Sequence, residues 1–173
     1  MPMIDADGCL LNVSVDGRDS GPTLMLSNAL GCTLQMWEPQ MATLSKLFRI
    51  VRYDRRGHGR SGAPPGPYSM ERFARDVLAI LDDLNIARAH WCGLSMGGMV
   101  GQWLGANAPE RFDRIILANT NCYYPNPTNW HARINARTLL ATGPATGLRN
   151  KKARPPSLQR LQANWWPGVG GAR

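Results

Sequence analysis

A chain of 173 residues, 43% hydrophobic and 18% charged, is expected to form one globular domain with a buried core. Its formal net charge of +8 is concentrated at one end. All twelve acidic residues lie at or before Asp113, and residues 136–173 hold seven of the twenty basic ones, so the charge does not argue for nucleic-acid binding by the domain as a whole. The absence of an eighteen-residue apolar run, of a leader pattern after Met1 and of any closely spaced cysteine pair argues against a membrane span, secretion, a disulfide framework or a zinc site. Reduced thiols and a cytoplasmic location are the expectation.

Residues 9–16, "CLLNVSVD", read as a strand in an opening hairpin around Asp7-Gly8. "TLMLSN" (23–28) suits a buried parallel strand, and a helix is expected over 36–46 with Trp37, Met41 and Leu44 on one side. "FRIVRYD" (48–54) is the next strand, followed by a loop in "RRGHGRSGAPPGPY". Ser69 is positioned to cap a helix whose apolar face carries Met70, Phe73, Ala74, Val77, Leu78, Leu81 and Leu84. A strand (89–94), a helix (96–107) and a strand (112–119) complete a βαβαβαβ order, which predicts a mostly parallel sheet with helices on both faces. Past about residue 136 no period of 2 or 3.6 is sustained.

Between the last helix and the strand before it stands Gly93-Leu94-Ser95-Met96-Gly97. A G-x-S-x-G at a strand-to-helix turn holds a serine on strained backbone, with its hydroxyl above the carboxyl end of the sheet and next to a helix N-terminus. Ser95 is therefore the candidate nucleophile; an incidental serine in a glycine-rich turn is the plainer alternative. Acyl transfer also needs two backbone N–H donors for the oxyanion. Met96, immediately after the nucleophile, supplies one, and Leu30 in the turn after the 23–28 strand is placed to supply the other, unless it only lines a pocket. His58 lies upstream of Ser95 in a glycine-flanked loop, where a structural role with local hydrogen bonds from Asp54 and Arg56 is expected. His90 is expected to pack in the core. His131 lies downstream, and the acids after Ser95 are Glu110 and Asp113, at a helix end and a strand start.

"LSNALGCTLQMWEPQ", "FRIVRYDRRGHGRSGAPPGPYSMERFARDVLAILDDL", "HWCGLSMGGMVGQWLGANAPERF" and "RIILANTNCYY" together resemble the α/β-hydrolase fold over residues 8–135. Within it they look like the bacterial 3-oxoadipate enol-lactonases. The resemblance implies that Ser95 attacks the lactone carbonyl while Leu30 and Met96 hold the oxyanion, that water releases 3-oxoadipate, and that no metal or organic cofactor takes part. The substrate is a small lactone or ester bearing a carboxylate. Arg133, beside Trp130 at the start of what would be a cap, is the candidate cation for it; a solvated helix charge is the alternative for Arg133. Neither a nucleic-acid nor a membrane partner is implied.

Family members continue into cap helices and two further strands whose loops carry the catalytic acid and histidine. The acid-free, Arg/Gly/Pro/Trp-rich residues 136–173 do not follow that pattern. The expectation is an α/β-hydrolase core at 1–135, lacking its last two strands, and a tail of non-native or disordered sequence from truncation or a shifted reading frame. Little turnover by the isolated chain follows. Other expectations weighed are an esterase or cofactor-free haloperoxidase of the same fold, and a non-catalytic protein whose basic tail, with Trp165-Trp166, contacts nucleic acid.

Overall fold

Alternation of apolar and polar residues closes the first two strands into a hairpin. In the computed structural model, which describes residues 2–123, β1 (Met3–Asp5) pairs antiparallel with β2 (Leu10–Gly17). The turn between them places Asp7 and Gly8 at positive φ and is closed by the Gly8 N–H donating to Asp5 Oδ1 at 2.8 Å. The core follows as β3 (Thr23–Ser27), α1 (Glu38–Leu44), β4 (Arg49–Tyr53), α2 (Met70–Asp83), β5 (Ala89–Leu94), α3 (Met96–Asn107) and β6 (Phe112–Ala118). The expected 36–46 helix is shorter than its apolar spacing suggests. It begins as a 3-10 turn over Leu34–Trp37, and Pro39 sits in the first α-helical turn, where its missing N–H has no intrahelical bond to make.

The six strands form one sheet in the order β1-β2-β4-β3-β5-β6. β2 runs antiparallel to β4, whereas β4, β3, β5 and β6 are mutually parallel neighbours, as right-handed βαβ crossovers require. Successive strand residues point to opposite faces, and the core divides accordingly. Met25, Val51 and Trp91 pack with Phe73, Val77, Ile80 of α2 and Met99, Val100, Leu104 of α3. Leu24, Leu26 and Ile50 pack with Trp37 and Met41 of the α1 segment on the other face. Each such fully buried aliphatic or aromatic side chain contributes about 1.5–3 kcal/mol. This two-faced burial presents the carboxyl ends of β3, β4 and β5 side by side, and the candidate chemistry sits there. Trp130, His131, Arg133 and the basic tail lie outside the described residues.

Candidate active site

Ser95 stands between β5 and α3 at φ 54, ψ −112, a backbone conformation that L-residues rarely adopt. Three contacts hold it there. Its N–H donates to the Ala118 carbonyl at 2.9 Å, and its own carbonyl accepts from the Met99 N–H at 3.1 Å and from Thr120 Oγ1 at 2.8 Å. The glycines on either side are dictated by space. A Cβ at Gly93 would stand 2.2 Å from the Gly97 carbonyl oxygen, and one at Gly97 would stand 2.3 Å from the Ser27 carbonyl oxygen. The turn therefore packs backbone on backbone, and the serine emerges at the N-terminus of a twelve-residue helix.

The loop leaving β3 is tied to that same helix turn. Both polar side-chain atoms of Asn28 and its carbonyl are engaged. Its side chain donates to the Tyr53 carbonyl at 2.8 Å and accepts from Trp37 Nε1 at 2.9 Å, while its carbonyl accepts the Gly97 N–H at 3.1 Å and Arg55 Nη2. Further along the loop, the Cys32 N–H donates to the Ala29 carbonyl at 3.2 Å, and the Gly31 N–H donates to His58 Nε2 at 3.1 Å. Leu30 and Met96 are thus brought to neighbouring segments. Neither of their N–H groups donates to an acceptor among the described residues, so both remain available for an oxygen that develops negative charge.

The loop after β4 is a buried polar scaffold. Asp54 accepts from the Leu34 N–H at 2.8 Å, from Asn12 Nδ2 at 2.9 Å and from the Arg60 N–H at 3.0 Å. Arg56 departs from the local bonding expected of it. It reaches α2, with Nε and Nη2 each 2.6 Å from an Asp76 carboxylate oxygen, and also donates to the Ala6 carbonyl at 3.0 Å. His58 has the structural place expected of it. Because Nε2 accepts from Gly31, the ring proton resides on Nδ1, which faces the Arg56 carbonyl at 3.2 Å. Burial, reinforced by the Arg55 charge, lowers the His58 pKa from 6.5 to about 4. His90 packs its ring edge-on to Phe48 at 6.1 Å, near the start of β5. Ser95 lies five positions further along the chain, roughly 16 Å away. Asp113 pairs with Arg88 at 2.6 Å. The described residues therefore offer Ser95 no imidazole within reach.

Arg55 is fully buried over the Phe73 ring, its Nε and Nη1 without hydrogen-bond partners among the described residues. Nothing in the local sequence flags it, because Asn28 and Phe73 lie in other βα units; Asn28 and Asp76 likewise take partners, Tyr53 and Arg56, that are distant in sequence. Among the described residues no group of His, Cys, Asp and Glu side chains could hold a metal ion, and no helix is long and apolar enough to cross a membrane.

Residues 22–163 match the sequence profile described as the alpha/beta hydrolase fold. The chain is 42% identical over 130 residues to 3-oxoadipate enol-lactonase 2 of Acinetobacter baylyi, a stretch covering 75% of this chain and 49% of that protein. It is 38% identical over 107 residues to a Caulobacter segnis protein provisionally named carbamate hydrolase RutD, covering 61% of this chain and 39% of that one. The crystal structure of the enol-lactonase from Burkholderia xenovorans LB400 superposes with a TM-score of 0.76 at 45% identity, covering 79% of this chain and 54% of that structure. The chain thus spans about half the length of the lactonases it matches.

Proposed function

Because the chain belongs to the alpha/beta hydrolase fold family, we propose that it carries the nucleophile and oxyanion hole of a serine hydrolase acting on 3-oxoadipate enol-lactone. The observation that carries this reading is Ser95 on its strained turn, with the N–H groups of Leu30 and Met96, which find no acceptor among the described residues, on adjoining segments. The similarity to a named lactonase supplies the substrate class.

In this reading Ser95 Oγ attacks the lactone carbonyl carbon. The Leu30 and Met96 N–H groups stabilise the tetrahedral oxyanion, assisted by the N-terminal dipole of α3. Collapse breaks the ring C–O bond; the expelled enolate takes up the proton that Ser95 Oγ gave to its base and tautomerises to the ketone, while the acyl group stays on Ser95. Water then cleaves the acyl–serine ester and releases 3-oxoadipate. Arg133, beside Trp130, keeps its assignment as the cation for the substrate carboxylate. Since His58 is held by Gly31 and Arg56 and His90 stands far down β5 from the turn, the base for Ser95 is not among the described residues. A site that works without its triad histidine is slower by a factor on the order of 10⁶.

The test is labelling of the chain with a fluorophosphonate, mapped by mass spectrometry. Adduct is expected on Ser95, lost in Ser95→Ala, and suppressed by 3-oxoadipate enol-lactone at lower concentration than by a simple p-nitrophenyl ester. Labelling elsewhere, or no protection by the lactone, would count against the proposal. Similarity to the Caulobacter segnis protein favours a second reading, carbamate hydrolysis; preferential protection by a carbamate would select it.

A further inference from the structure

We propose that His58 is a positioning residue for the oxyanion hole, whose neutral imidazole accepts the Gly31 N–H and thereby fixes how the Ala29–Leu30 peptide presents the Leu30 N–H. This rests on the reading of Leu30 as an oxyanion donor.

The loop after β3 has two fixed ends. At its start the Asn28 carbonyl accepts the Gly97 N–H of α3 and Arg55 Nη2. At its far end the Gly31 N–H is taken by His58. Between them lies the Ala29–Leu30 peptide, whose carbonyl accepts the Cys32 N–H. A trans peptide directs its N–H opposite to its C=O, so with the Ala29 oxygen turned to Cys32 the Leu30 N–H faces away from it. Gly31, at φ 76, is a residue type that visits both signs of φ freely. The bond from its own N–H removes that freedom next to the peptide that must not turn.

His58 is suited to the task because it is itself immobilised. It is 7% exposed, its Nδ1 faces the Arg56 carbonyl, and the Arg56 guanidinium is held by Asp76 of α2 and by the Ala6 carbonyl. A continuous chain of contacts runs from α2 through Arg56 and His58 to Gly31. Only the neutral ring can accept, and burial together with Arg55 keeps it neutral against the opposing pull of Asp54 and the Arg56 carbonyl.

The test uses the full 173-residue chain as wild type, His58→Ala and His58→Gln, the last offering an amide oxygen near the place of Nε2. Long-range ¹⁵N–¹H spectra report the ring tautomer, amide exchange reports the Gly31 bond, and the rate of Ser95 phosphonylation reports the consequence. The wild-type ring is expected to carry its proton on Nδ1. In His58→Ala, Gly31 exchange accelerates and labelling slows on the order of 10²-fold, as for loss of an oxyanion donor, while His58→Gln restores both. Unchanged Gly31 exchange and labelling in folded His58→Ala overturn the proposal. So does a wild-type ring protonated on Nε2, a result that needs no variant. Wild-type labelling that survives Ser95→Ala overturns the nucleophile reading instead, and the tautomer and exchange data still decide whether His58 holds Gly31.

Discussion

At Gly97 the space for one carbon atom decides whether the serine turn can exist. A Cβ there would lie 2.3 Å from the Ser27 carbonyl oxygen, which is backbone and cannot swing aside. Gly97→Ala is expected to destabilise the fold by about 1–3 kcal/mol and to slow Ser95 phosphonylation, measured by urea unfolding and by labelling kinetics. The G-x-S-x-G spacing made this residue legible, because the need for small residues is written into the motif itself. The bond from Gly31 to His58 was not legible: two residues 27 apart leave no local pattern. His58 also carries a pH consequence. Its ordinary pKa of 6.5 applies to the unfolded chain, whereas in the fold it lies at about 4. As pH falls, the unfolded state takes up the proton first, so stability from the neutral buried ring is complete above about pH 6.5 and is lost progressively towards pH 4, roughly 3 kcal/mol in all. Urea midpoints at neutral pH and near pH 4.5 are expected to diverge more in wild type than in His58→Gln.

α2 illustrates what periodicity conveys about an element and what it leaves out. Its limits and apolar face follow from the spacing of Phe73, Ala74, Val77 and Leu81, and Ser69 caps it as expected, accepting the Arg72 N–H at 3.0 Å. The same buried face holds Asp76, whose side chain is 0% exposed. A carboxylate on an apolar stripe is tolerable only with partners: Arg56, from the loop after β4, bonds both its oxygens, and Arg72, one turn earlier on α2, pairs with it at 3.3 Å. The Arg56–Asp76 pair fastens the loop that carries His58 to the helix. Arg56→Met leaves the buried Asp76 only its longer pair with Arg72, and Asp76→Leu leaves the buried Arg56 without its carboxylate, so each alone is expected to destabilise by about 3–5 kcal/mol, and the double variant to recover most of that loss. Chemical denaturation of the three variants measures the coupling. β5 and α3 agree with their expected limits, since the turn glycines punctuate both. The α1 segment does not, because a 3-10 entry and an α-helical continuation share the same apolar spacing.

Across the whole molecule, the mostly parallel sheet with helices on both faces follows from the order of elements, and the strand order adds the antiparallel β1 and β2 at one side. At the other side stands β6, which pairs only with β5 among the described residues. Ile116 and Leu117 on it are 58% and 43% exposed. An apolar strand at a sheet edge is a template for another chain. Sedimentation velocity is expected to show association that grows with concentration and weakens in Ile116→Lys; identical profiles would remove that inference. The contacts that assemble the candidate site share one further property. Asn28 meets Arg55 27 residues away, Gly31 meets His58 across the same interval, and Ser95 meets Thr120 across 25. Each of these ties closes one strand-to-strand crossover. No segment can acquire its working geometry alone, because chain entropy must be spent on each crossover before its contact forms. In refolding from denaturant, helical signal would therefore return before Ser95, the proposed nucleophile, can be phosphonylated, and that labelling would serve as a late clock for completion of the sheet around it.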